Sequence, residues 1–283
     1  MSQISRCKPL LGTYVVIRAE APMSQSALVG LCDEAFATIE LIQRLMSFHD
    51  TNSELSFLNR EAALRPCPLS SQMHRIIETA LNLSKAAQGQ YDISIAPQLI
   101  EHGLLPKHAG MANQYSGTWQ DIVLTSQRIY FRKPMLLDLG GIAKGYAVDC
   151  AFDQIAHKVD NLIVNAGGDC RIKRWQDAEI AIKARDRKGY QHLINAPMQN
   201  AAVASSVHAH NETTLVSPRC KSIVGKPHSA TVFADDCMTA DAVTKIALLN
   251  PAFLGQLRQS HQINQNVIAL TANVLGQLVS IGI

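Results

Sequence analysis

Residues 137–149 read Leu-Asp-Leu-Gly-Gly-Ile-Ala-Lys-Gly-Tyr-Ala-Val-Asp, and these types in this order could hold an anion. The apolar run 135–139 predicts a strand that carries a carboxylate, Asp138, near its end. Gly140 and Gly141 lack a Cβ, so a ligand can approach the backbone closely. A helical pattern follows from Lys144. The start of a helix turns unpaired N–H groups and the positive end of its dipole toward an anion such as phosphate. Lys144 adds a point charge at that position. Strand, double glycine and carboxylate recur at 162–169, Leu-Ile-Val-Asn-Ala-Gly-Gly-Asp. Two such corners point to a nucleotide held between strand ends, although two ordinary strand-end turns would use the same residues.

The elements that position these groups follow from hydrophobic periodicity. A strand is expected over 14–19 and a helix over 26–46, with Leu28, Leu31, Ala35, Phe36, Ile39, Ile42 and Leu45 at helical spacing. Ser70 or Ser71 caps a second helix with Met73, Ile76, Ile77, Ala80 and Leu81 inward, closed by Gly89. The segment 100–118 is irregular. Strands follow over 121–125, 128–132 and 135–139, a helix over 144–159, and strands over 162–165, 179–183, 201–205 and 231–234. A helix over 239–249 is capped by Thr239, and strands over 267–271 and 278–283 close the chain. Without strict βαβ alternation the class is α+β: a single globular domain, 1–283, of mixed sheets and packed helices.

The 283 residues suffice for a sizeable core. At 47% hydrophobic and 17% charged the chain is globular rather than disordered. The net charge of +3, with no Lys/Arg run, gives no support for a nucleic-acid partner. No segment approaches the roughly 18 apolar residues of a membrane span, and the N-terminal stretch lacks a signal-peptide pattern. Seven cysteines form an odd set without a CxxC, which suits reduced thiols and a cytoplasmic location. Residues 140–152 contain neither GxGxxG nor GxxxxGK[ST], so a Rossmann dinucleotide site and a P-loop are unsupported. Asp149 and Asp153 share one helix face, which a solvated helix surface explains equally well.

Six segments, in order, resemble one known family. They are Leu11-Gly12-Thr13; Met46-Ser47-Phe48-His49-Asp50 with Ser53-Glu54-Leu55-Ser56 and Asn59; and Tyr91-Asp92-Ile93-Ser94-Ile95-Ala96-Pro97. After these come Asp138 to Asp149 with Asn165 to Asp169, then Ala202-Val203-Ala204-Ser205-Ser206, and Thr239-Ala240-Asp241-Ala242. Together they resemble the FAD:protein FMN transferases, earlier described as thiamine-biosynthesis lipoproteins. The resemblance implies that FAD is bound with a divalent cation, usually Mg²⁺. FMN then moves to a Ser or Thr hydroxyl of an acceptor protein and AMP is released. It places Leu11, His49, Gln90, Tyr91, Asp92, Asp138, Lys144 and Val216 against FAD. It assigns the metal to a backbone oxygen at Gly141 and to Asp241, Thr244 and Lys245. Asp241 is also expected to take part in catalysis.

This sequence departs from the family pattern at three places. His49 stands where the family has a tyrosine stacked on the flavin. Thr214-Leu215-Val216-Ser217-Pro218-Arg219-Cys220-Lys221 stands where the family has His-x-x-Asp-Pro-x-Thr-Gly, so the proposed catalytic histidine has become Thr214. His208 and His210 lie just upstream, and His210 is the expected base if it reaches the acceptor hydroxyl. Lys245 replaces a threonine four residues after the metal aspartate. Asp241, Thr244 and Lys245 share a helix face, so Asp241 and Lys245 can form an ion pair. Weaker metal binding than in a typical member follows. Two further readings stay open: an FAD-binding protein that has lost transfer, and a hydrolase that cuts FAD to FMN and AMP.

Overall fold

A computed structural model describes residues 1–109, 114–186, 188, 190–208, 215–220, 228–259, 266–273, 275 and 277–281. The first hairpin is set by alternation and by its turn. β1 (Ser2–Leu10) pairs antiparallel with β2 (Thr13–Ala21). Leu11 and Gly12 form the two-residue connection at φ 56° and 69°, the twist that a tight hairpin requires. Leu11 adopts this conformation despite its Cβ, and its N–H donates to Gln43 Oε1 at 2.6 Å. Val15, Ile17 and Ala19 turn to one face of β2 and are buried there.

The chain continues through α1 (Gln25–Met46), α2 (Glu54–Glu61), β3 (Cys67–Pro68), α3 (Ser71–Ala86), α4 (Ala96–Glu101), β4 (Ile122–Leu124) and β5 (Arg128–Phe131). Next come α5 (Ala143–Ile155), β6 (Asn161–Ala166), β7 (Asp169–Ile172), β8 (Glu179–Arg185), β9 (Gln191–Pro197), β10 (Ala202–His208) and β11 (His228–Ala234). The last elements are α6 (Cys237–Leu249), α7 (Pro251–Gln259), β12 (Ile268–Ala272) and β13 (Leu278–Ser280).

These elements form two compact units. The first comprises residues 1–43, 142–209 and 226–283. Its centre is an antiparallel eight-stranded sheet in the order β1-β2-β6-β7-β10-β11-β12-β13. Alternation gives the sheet two buried faces over its middle. Cys170, Ile172, Val203 and Phe233 pack with Ile182, Ala184 and Ala196 of the β8–β9 hairpin and with Met198 just after it. Residues at the alternate strand positions, Asp169, Arg171 and Ser206, reach side chains of α5 and α6 instead.

The second unit comprises residues 44–141 and 210–225. It holds α2, α3, α4 and the small sheet β3-β5-β4. Ser53 and Ser70 cap α2 and α3 by accepting from the N–H groups of Ser56 and Met73. Glu54 then accepts from both the N–H and the hydroxyl of Ser70, at 2.6 Å each, and so joins the two helix starts.

The α+β class expected from sequence is the class observed. Three local expectations differ. Residues 135–139 form no strand; Leu137 is bracketed instead by the Asn59 carboxamide, which accepts from its N–H at 2.7 Å and donates to its carbonyl at 2.9 Å. A side chain thus does the work of a neighbouring strand. Helix α6 starts two residues early, because Asp236, not Thr239, is its cap and accepts from the Thr239 N–H at 2.7 Å. Helix α5 ends at Ile155 and tightens into a 3₁₀ turn over Ala156–Lys158. No helix among the described residues is long and apolar enough to cross a membrane.

Candidate active site

In the first unit, helices α5 and α6 cap one another. The early N–H groups of a helix have no partner within it and must find one elsewhere. The Gly145 N–H, in the first turn of α5, donates to Asp241 Oδ2 at 3.2 Å. In return, Asp149 of α5 accepts from the N–H groups of Cys237 and Met238, in the first turn of α6, at 2.9 and 2.8 Å. The helices approach so closely here that a Cβ on Gly145 would lie 2.2 Å from the carbonyl oxygen of Cys237. Glycine is therefore a packing requirement at this position. Arg171 of β7 holds Asp149 at 3.1 Å and Asp153 at 3.0 Å, with its guanidinium over the Phe152 ring.

Among the described residues, two ammonium groups and a second carboxylate stand around Asp241. Lys144 Nζ lies 2.5 Å from Asp169 Oδ2. Lys245 Nζ lies 2.9 Å from Asp241 Oδ1, 3.0 Å from Thr244 Oγ1 and 2.8 Å from Ser206 Oγ. The Thr244 hydroxyl donates to the Asp241 carbonyl at 2.6 Å and meets Ser206 Oγ at 2.7 Å. Side-chain exposure is 1–2% for the two aspartates but 34% for Lys144 and 21% for Lys245. The carboxylates are thus dry while the ammonium groups keep an accessible side. Such a pairing can offer N–H donors to an anion without rearrangement.

The charges shift as this geometry demands. Burial alone would raise the Asp241 carboxyl, but the ammonium groups of Lys245 and Lys144 outweigh it and hold the group below the usual carboxylate range. Asp169 goes the other way. Burial, reinforced by the Asp241 charge, raises it to about 6 against the opposing pull of Lys144 and Lys245. Burial opposes the charged form of Lys144, yet Asp241 and Asp169 together push its pKa up. Asp149 is raised to about 7 by burial, with Arg171 opposing and Asp236 adding to the rise.

Other residues expected from sequence fall as follows. Leu11 sits in the β1–β2 turn. The neighbouring Thr13 lies close to Gly167, where a Cβ would meet its Oγ1 at 2.5 Å. Gly167 and Gly168, at φ 66° and 112°, form the turn of the β6–β7 hairpin. The second glycine corner is therefore a tight hairpin that delivers Asp169 to Lys144. The first corner ends at α5, where the anion at the helix start is the Asp241 carboxylate itself.

Within the second unit, His49 is exposed and the adjacent Phe48 ring stacks on His108 at 5.5 Å between centroids. Gln90 and Tyr91 are buried. Asp92 accepts from both the N–H and the hydroxyl of Ser94, at 2.8 and 2.7 Å, and burial raises its pKa. The Asp138 N–H donates to the Ile93 carbonyl at 2.8 Å, and Asp138 Oδ2 accepts from the Gly140 N–H at 3.1 Å. Gly141 lies in the turn after Gly140. Val216 is buried, and nearby Arg219 donates to the Gln88 carbonyl at 3.1 Å. His210, Thr214 and Lys221 lie outside the described residues, as does the side chain of His208.

The structure thus brings Lys144, Asp241, Thr244 and Lys245 together in one cluster. It adds Asp169 and Ser206, which the sequence motifs contain but which had no assigned partner there. It also assigns Asp149 to the α6 start rather than to a solvated surface. Its signal in sequence was only two carboxylates, Asp149 and Asp153, on one helix face, too little to name its partners.

The chain is similar to known proteins of one family. The model of the ApbE family matches residues 11–264. An FAD:protein FMN transferase of Vibrio cholerae serotype O1 is 24% identical over 278 residues, which cover 85% of this chain and 79% of that protein. One from Chlamydia pneumoniae is 27% identical over 172 residues, 57% of this chain and 52% of that protein. Among solved structures, the flavin transferase ApbE from Vibrio cholerae superposes with a TM-score of 0.81 at 21% identity, covering 99% of this chain and 97% of that one. The apbe protein of Thermotoga maritima gives 0.78 at 20% identity, with the same coverage. At these identities the structural likeness shows the fold.

Proposed function

The chain belongs to the ApbE family, and from that membership we propose that it is an FAD:protein FMN transferase. The observation that carries the reading is the relative of that activity aligned over 85% of this chain. In the proposed reaction, a Ser or Thr hydroxyl oxygen of an acceptor protein attacks the FMN phosphorus. The bond from that phosphorus to the bridging oxygen breaks, AMP leaves, and the hydroxyl proton passes to a base. His210 is the proposed base. The family match runs through residues of both units, which supports treating 1–283 as one functional domain.

Cutting a pyrophosphate requires cations at the bridging and departing oxygens. In the first unit, the accessible sides of Lys144 and Lys245 are the groups suited to that role, with Asp169 and Asp241 fixing them in place. Leu11 is a further proposed FAD contact there. In the second unit the proposed contacts are His49, Gln90, Tyr91, Asp92, Asp138 and Val216.

A Mg²⁺ ion, when bound in such enzymes, would act as a Lewis acid on phosphate oxygens. The cluster around Asp241 does not fit it. Both Asp241 oxygens already accept, from Lys245 and from Gly145. The Thr244 hydroxyl is engaged with the Asp241 carbonyl, Ser206 and Lys245. The two aspartates are matched by two ammonium groups. A divalent and a monovalent cation roughly 4 Å apart repel by about 8 kcal/mol at an effective dielectric constant of about 20.

The proposed acceptor is cytoplasmic, a reading that rests on the odd, CxxC-free set of cysteines. The test is incubation with FAD and candidate acceptors, followed by mass spectrometry of the acceptor and assay of AMP. Covalent flavin on a Ser or Thr with matching AMP supports transfer. AMP and FMN in the absence of any acceptor would replace it with hydrolysis. FAD retained without AMP would leave a flavin-holding protein.

A further inference from the structure

We propose that Lys245 is a built-in cation that takes the place of a divalent metal, so that this chain binds the FAD pyrophosphate without Mg²⁺. The inference rests on the flavin reading for its ligand, but its structural content is independent of that reading.

The ammonium has an oxygen shell of its own. Asp241 Oδ1, Ser206 Oγ and Thr244 Oγ1 lie 2.8–3.0 Å from Nζ, and the Asp241 carbonyl oxygen lies at 3.4 Å. These are hydrogen-bond lengths, longer than the roughly 2.1 Å contacts that Mg²⁺ demands. The oxygens come from α6 and from β10, so the shell is held by the tertiary fold and not by one flexible segment.

An ordinary surface ion pair at i,i+4 spacing would look different. In such a pair both partners are solvated and the gain is small. Here Asp241 is 1% exposed. Removing its cation would leave a buried carboxylate facing Asp169, an arrangement that proteins avoid. Lys245 is therefore, together with Lys144, a counter-charge on which the burial of Asp241 depends, and it is the one in direct contact with the carboxylate. A metal ion could enter only by expelling it. Lys144 supplies the second positive charge, on Asp169, so among the described residues the two aspartates and two ammonium groups balance before any cation arrives. With 21% of its side chain exposed, Lys245 keeps a side on which to meet an anionic oxygen.

Mn²⁺ is the probe, because its electron paramagnetic resonance signal separates free from bound ion in the protein without flavin. The purified full chain should leave added Mn²⁺ free, and Lys245→Thr should take up Mn²⁺ at least about tenfold more tightly. In parallel, the FAD dissociation constant of the natural chain should agree within about twofold between EDTA and Mg²⁺. For Lys245→Thr it should improve at least about tenfold on adding Mg²⁺. Mn²⁺ uptake by the natural chain would overturn the proposal, as would failure of a folded Lys245→Thr variant to gain uptake. Should that variant not fold, the EDTA and Mg²⁺ comparison on the natural chain decides alone, and a marked Mg²⁺ enhancement refutes. Absence of FAD binding in every buffer would sink the flavin reading, while the Mn²⁺ result would still judge the role of Lys245.

Discussion

The N–H of Gly145 donates to Oδ2 of Asp241 at 3.2 Å, so the carboxylate that binds Lys245 through one oxygen completes the start of helix α5 through the other. One side chain serves both the fold and the candidate site. Changes at either residue should therefore be felt in both.

Gly145→Ala tests the packing side of this relationship. The added methyl would lie 2.2 Å from a backbone carbonyl on α6, which no side-chain rotation can relieve. The helices must separate, at a cost of about 1–3 kcal/mol. Denaturant unfolding should show this loss, together with weaker FAD binding because Asp241 moves with α6. An unchanged midpoint would mean that the helices separate freely.

Asp149 gives a pH prediction. Its folded-state pKa is raised to about 7, against about 3.9 for an unfolded aspartate. Between these values the folded state holds the extra proton, so this group's contribution to stability falls as pH rises from about 4 to about 7. The slope is at most about 1.4 kcal/mol per pH unit. Asp149→Asn removes it. Unfolding measured at pH 5 and pH 7.5 should lose less stability over that interval in the variant than in the natural chain.

Asn59 is predicted to be structural for the 135–139 segment. Both backbone groups of Leu137 depend on its carboxamide, and Asp138 follows directly. Asn59→Ala leaves two buried polar groups without partners, at about 1–3 kcal/mol each. Hydrogen exchange should show early loss of protection at the Leu137 and Asp138 amides, while β6 and β10 stay protected.

Lys144 separates charge balance from ligand binding. Lys144→Met leaves Asp169, already raised to about 6, without its closest cation, and the melting temperature should fall. Adding Asp169→Asn should restore much of that stability, since the buried charge is gone. FAD affinity, followed by flavin fluorescence, should stay at least about tenfold weaker in both variants. Recovery of affinity in the double variant would show that Lys144 acts only by neutralising Asp169.

Local sequence determined a good part of this protein. Alternation and 3.6-residue spacing mark β2, α1 and α3, because those periods reflect backbone geometry alone. The i,i+4 spacing of Asp241 and Lys245 was enough to place them on one face of a helix and to expect their pairing. The ordered motifs carried the family resemblance, since they fix residue types at particular turns and helix starts.

The tertiary structure decided what those residues are to one another. Asp149 meets Cys237 and Met238 across 88 and 89 residues of chain, and Asn59 meets Leu137 across 78. No local period encodes such contacts. Burial turned the Asp241–Lys245 pair from a weak surface contact into a neutralised charge cluster, because a dry carboxylate must have a counter-charge whereas a solvated one need not. Whether a helical Asp–Lys pair is ornament or a resident cation depends on how much water reaches it, and only the folding of β7, β10, α5 and α6 around it sets that.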